Sequence, residues 1–201
     1  MSFEQNIARL SADKTQEIEQ SIGLFSNSGK TKREIWVLTE FLRNLGVSFK
    51  DSELTSGSNP PDVIFQDAAF EIKEIDEENR KRGDEYKEKI EKAKSAKTLK
   101  ELYPDYKFKE ISLPEIINRM HETLKGLVYD TDFCKKIDIL FYINYSLIGE
   151  HNYTIPANDA WIKWRSISMV TNNNISCVFF ANDDAPEFIK TIEGKIIKRN
   201  Y

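Results

Sequence analysis

The sequence predicts an α/β fold, one domain over residues 1–201, and three observations predict it. Residues 31–45 carry apolar side chains at helical spacing. Residues 62–65 and 70–75 are short apolar runs on either side of a tight turn. Residues 137–145 are almost wholly apolar, the pattern of a central strand covered on both faces. In chain order this gives helix, strands, helix, strand. The core spans about 31–145, with a charged helical insertion at about 76–110 and a C-terminal β-hairpin appendix at about 146–201.

Each element has a local reason. Ile18, Ile22 and Phe25 mark a first helix over residues 13–26, closed by a Ser-Asn-Ser-Gly break. The second helix shows a stripe of Ile35, Leu38, Leu42 and Leu45, and Gly46 is its stop. Residues 47–49 can start a strand, and residues 55–60 read as a loop. From 76 to 110 Lys, Arg, Asp and Glu dominate, and residues 84–102 suit an exposed helix with opposite charges as neighbours. Ser112, Pro114 and Glu115 form a helix start. That helix is expected to reach about Tyr129 and to bury Ile116, Met120, Leu124, Leu127 and Val128. Residues 161–170 and 175–181 flank three asparagines as a second hairpin, residues 186–192 suit a short helix, and residues 195–201 are a basic tail.

Bulk composition narrows the function classes. Of 201 residues, 40% are hydrophobic and 31% charged, an ordinary globular balance. No apolar run approaches the ~20 residues of a membrane span, so no membrane partner is expected. The first residues lack the basic-then-apolar layout of a secretion signal. Cys134 and Cys177 are too few and too distant for a disulfide framework, and His121 and His151 have no zinc-ligand spacing. A reduced, cytoplasmic protein is the expectation. The net charge of −4 argues against a general nucleic-acid coat, although a local basic surface would suffice for binding.

The first hairpin carries the chemistry. A turn at Asp67-Ala68 sets Phe65 opposite Phe70, Ile64 opposite Glu71 and Asp62 opposite Lys73. Alternation then places Asp62, Ile64, Glu71 and Lys73 on one face and Val63, Phe65, Phe70 and Ile72 on the other. Two carboxylates on neighbouring strands lie close enough to share one hard cation, for which Mg²⁺ (or Mn²⁺) is suited. Lys73, its charge favoured by both acids, is expected to stabilise phosphate charge and position water rather than act as a base. The plain alternative is an exposed edge hairpin with a cross-strand ion pair.

Pro61-Asp62 followed by Phe70-Glu71-Ile72-Lys73 resembles the signature of the PD-(D/E)XK, or restriction-endonuclease-like, nuclease superfamily. The chain also resembles a small bacterial family of unknown function that carries an endonuclease label. The resemblance implies an α-β-β-β-α-β core, catalytic roles for Asp62, Glu71 and Lys73, and metal ligation by Asp62 and Glu71. It further implies an acid from the first core helix, best matched by Glu34 rather than Glu40. Lys125, on the helix that flanks the site in that fold, becomes a candidate phosphate contact.

The expected function is therefore metal-dependent hydrolysis of DNA phosphodiesters, with RNA left open as the substrate. A nuclease-fold module that binds nucleic acid or protein without catalysis is the alternative. A purely structural partner protein, a homodimer that uses the hairpin of residues 161–181 as its dimer surface, is a third option. Lys87, Lys94 and Lys97 read first as a solvated helix face and second as backbone contacts. Trp161, Trp164 and Arg165 read first as core and second as a platform for unpaired bases.

Overall fold

The computed structural model describes residues 3–58, 60–78, 80–104, 110–145, 147–148 and 160–199. In chain order the elements are α1 (Phe3–Phe25), α2 (Lys30–Asn44), β1 (Leu54–Ser56), β2 (Val63–Phe65) and β3 (Ala68–Asp76). They continue with α3 (Arg82–Ser95), α4 (Leu99–Leu102), β4 (Glu110–Ile111), α5 (Leu113–Lys125), α6 (Thr131–Cys134) and β5 (Asp138–Asn144). The chain closes with β6 (Leu147–Ile148), β7 (Ser166–Thr171), β8 (Ile175–Ala181), α7 (Glu187–Lys190) and β9 (Ile196–Lys198).

Chain contacts resolve into two compact units, residues 1–33 with 78–108 and residues 34–77 with 109–201. In the smaller unit the charged insertion packs with α1. Ile18, Ala93 and Leu102 form its core, with Leu10, Ile22, Tyr86 and Ile90 around them. Tyr86 stacks on Phe25 at 6.5 Å, and the Arg82 guanidinium lies 4.6 Å from the same Phe25 ring.

The larger unit is mixed α/β. Its seven-stranded sheet has the order β1-β2-β3-β5-β7-β8-β9. β3, β5 and β7 run parallel at the centre, and the flanking pairs are antiparallel. Every residue of β5 is buried, as its apolar run predicts. On one side, Phe41 of α2 meets Phe70 of β3 edge-on at 6.1 Å, and Trp36 meets Tyr142 at 5.4 Å. On the other side, Ile116, Met120 and Leu124 of α5 join Ile75, Ile139, Phe141, Ile167 and Met169 in the main core.

Several boundaries differ from expectation, each for a physical reason. α1 starts ten residues early, because Ile7 adds a buried turn to the predicted stripe. The buried face of α2 is centred on Val37, Leu38, Phe41 and Leu42, one step round from the predicted stripe, so Ile35 and Leu45 are only half-buried. Its end matches: Gly46, at φ 71°, donates to the Arg43 carbonyl, and Val47 donates to Leu42. Residues 47–49 form no strand. The edge strand is β1, which falls in the predicted loop because backbone pairing with β2 recruits it. The helix from Ser112 stops at Lys125 with Gly126 as cap, leaving Val128 95% exposed. The C-terminal hairpin is no appendix, since β7 pairs along β5 and continues the main sheet.

Candidate active site

The hairpin turn is Gln66-Asp67, with Gln66 in the left-handed region at φ 54°. Two-residue hairpin turns need such a positive φ to match the strand twist. The ladder therefore pairs Phe65 with Ala68, Ile64 with Ala69 and Val63 with Phe70. This register is displaced by two residues from the sequence expectation, and an even displacement leaves every side chain on its expected face. It also brings Asp62 toward Glu71 rather than Lys73. Val63, Phe65 and Phe70 are fully buried and Ile64 is exposed. On β3 Glu71 and Lys73 share the side of Ile75, the side that α5 covers.

Asp62 lies just before β2 and is 6% exposed. Its N–H donates to the Phe70 carbonyl at 2.9 Å, and its Oδ2 accepts from the Ile72 N–H at 2.9 Å. Two main-chain bonds to β3 thus fix the acid beside Glu71. Glu71 is 3% exposed. Its Oε1 accepts from the Lys73 ammonium at 2.6 Å and from the Tyr129 hydroxyl at 3.4 Å. Its Oε2 is buried and has no hydrogen-bond partner among the described residues. The Tyr129 phenol is held above the ordinary tyrosine value, first by burial and then by the negative charge of Glu71, with Asp62 adding to it. One phenol thus senses both acids.

A buried carboxylate oxygen without a donor is costly unless something else compensates it. A hard divalent cation is that kind of partner, and Asp62 supplies a second anionic group for it. The donor set therefore fits a cation such as Mg²⁺ through Glu71 and Asp62.

The remaining candidates fall elsewhere. Glu34 is buried on α2 at 7% exposure, but among the described residues no group of three or more acid, histidine or cysteine side chains gathers to hold a metal. Lys125 pairs with Glu122 at 2.7 Å on the exposed side of α5. His121 is half-buried on α5, and His151 lies outside the described residues. Trp161 and Trp164 are fully buried in the main core, so neither offers a platform for bases. Lys87, Lys94 and Lys97 are exposed on the smaller unit. Among the described residues no helix is long and apolar enough to cross a membrane.

Two participants were not legible as such in the sequence. Tyr129 is expected as the last residue of the helix that starts at Ser112. It instead follows the Gly126 cap, and the glycine after the last buried leucine was the available signal. Asp138, at the start of β5, is completely buried and pairs with Arg165. It also accepts from Ser166 at 2.8 Å and from the Ala69 N–H at 3.1 Å. Burial pushes its carboxyl above the ordinary aspartate value, with Arg165 and Ser166 opposing. This node ties the start of β3 to β5 and β7. A lone acid opening an apolar strand signals such a buried partner.

A family model described as "Putative endonuclease, protein of unknown function (DUF1780)" matches residues 9–200. A solved protein of unknown function from Pseudomonas aeruginosa strain PAO1, described as belonging to the monooxygenase superfamily, is 24% identical. The match covers 100% of this chain and 97% of that one at a TM-score of 0.61, a likeness of fold. No curated protein matches the chain.

Proposed function

The chain belongs to the endonuclease-labelled family of unknown function that its residues 9–200 match, and on that premise we propose a metal-dependent nuclease hydrolysing DNA phosphodiester bonds. The proposal includes a restriction-endonuclease-like core. The observed order α2, β1, β2, β3, then α5 and β5 fits the α-β-β-β-α-β arrangement expected of it, with α3 to β4 inserted. The observation that carries the reading is the buried Oε2 of Glu71, without a hydrogen-bond partner among the described residues and beside Asp62.

In this reading Asp62 and Glu71 hold the cation. When bound, Mg²⁺ or Mn²⁺ would supply an activated water and neutralise charge gathering on the phosphate. Asp62 is kept in place by the Ile72 N–H, so little ordering is needed when the site fills. Lys73 is partly exposed, and its ammonium is anchored on Glu71. There it can stabilise phosphoryl oxygens, a role worth roughly 10²–10³ in rate when a single donor is removed. Lys125 and the exposed lysines of the insertion are candidates for non-specific backbone contact.

The test is nicking of supercoiled plasmid with Mg²⁺, with Mn²⁺ and with EDTA. The native chain is expected to cut with metal and stop with EDTA. Asp62→Ala/Lys73→Ala is expected to be inactive, and undiminished cutting by that variant would refute the assignment. Metal-independent DNA binding with no cutting would favour the binding-module reading instead.

A further inference from the structure

We propose that Tyr129 is a positioning residue for Glu71, fixing the orientation in which its carboxylate faces the cation. The inference rests on the reading that Glu71 is a metal ligand. A free carboxylate has two equivalent oxygens, but here both donors converge on one of them. The Lys73 ammonium and the Tyr129 hydroxyl each donate to Oε1, and Oε2 is left bare and buried. Rotating the carboxylate plane by a quarter turn would stretch both bonds, so the two donors hold that plane and keep the second oxygen directed away from them.

Tyr129 is suited to this because it is itself held in place. Its ring meets Trp164 edge-on at 6.0 Å and Phe133 at 5.3 Å. The next residue, Asp130, caps α6 by accepting from the Phe133 N–H at 2.9 Å. Lys73 alone is a long, partly exposed side chain and defines direction poorly. The aromatic lock supplies the rigidity that the lysine lacks. Groups that hydrogen-bond a metal ligand from behind orient it and set its affinity, and their loss typically weakens metal binding 10–100-fold.

The experiment is calorimetric titration of the full chain with Mn²⁺. Tyr129→Phe keeps the ring and its contacts with Trp164 and Phe133 but deletes the donor. It is expected to melt at the native temperature and to bind Mn²⁺ roughly tenfold more weakly, the low end of that range because the 3.4 Å bond is long. Replacement by 4-aminophenylalanine, which restores an N–H donor at the same place, is expected to recover most of the affinity. A purely packing role would not produce that rescue. Native affinity in Tyr129→Phe, or no recovery with the amino analogue, overturns the positioning role while leaving Glu71 as a ligand. If the native chain takes up no Mn²⁺, the metal reading itself falls, and this one with it.

Discussion

Asp138 brings an acid to the head of a strand that is otherwise apolar, and its surroundings explain why it is there. Arg165, Ser166 and the Ala69 N–H all converge on its two oxygens in a site without solvent. Losing one member of a buried ion pair leaves the other charge uncompensated, which costs about 3–5 kcal/mol. Asp138→Asn, which keeps the shape and removes the charge, is therefore expected to lower the urea-unfolding free energy by about that much. A loss below ~1 kcal/mol would mean that Arg165 finds another partner. At this scale the sequence was informative where spacing sets a shared face, as at Asp62, Glu71 and Lys73. It was uninformative where a residue acts across the fold. Tyr129 reaches Glu71 over 58 positions and Arg165 reaches Asp138 over 27, and no local pattern records either meeting.

Elements show a different division between what is legible and what is not. Alternation in the hairpin gave the correct faces, because a period of two survives an even shift. Register did not follow from alternation. It depends on which residue accepts a positive φ, and Gln66 does so without the usual glycine or asparagine signal. Likewise β1 carries no strand pattern, since only its backbone partner makes it a strand. The insertion helix was legible from its charges, and those charges make a prediction. Burial tends to raise the Glu85 carboxyl, but Arg80 and Lys89 outweigh it and draw its pKa from 4.5 down to about 2. A depressed acid stabilises the folded form above the unfolded value and loses that contribution as pH falls through the folded one. The window here is pH 4.5 to about 2. Glu85→Gln should flatten the fall in helical circular dichroism across that window relative to the native chain. Identical acid profiles would show that the ion pairs contribute nothing to α3.

At the scale of the whole molecule, the sheet is larger than the sequence suggested. The C-terminal segments read as an appendix because a hairpin near a chain end looks self-contained, and parallel pairing of β7 with β5 leaves no local trace. The consequence is that the candidate site belongs to the unit with the larger core, and its stability should respond to the site's occupancy. A ligand that binds only the folded form stabilises it by about 2.7 kcal/mol at one hundred times its dissociation constant. For a chain of this size that corresponds to roughly 5–10 °C in melting temperature. Mn²⁺ at that excess is expected to raise the melting transition of the native chain by that amount, and EDTA to reverse it. Glu71→Gln, with its charge gone from beside Asp62, is expected to show almost no shift, as is Asp62→Asn. Equal shifts in all three proteins would locate the ion elsewhere on an acidic surface, because a cation held at this hairpin must notice the loss of either carboxylate.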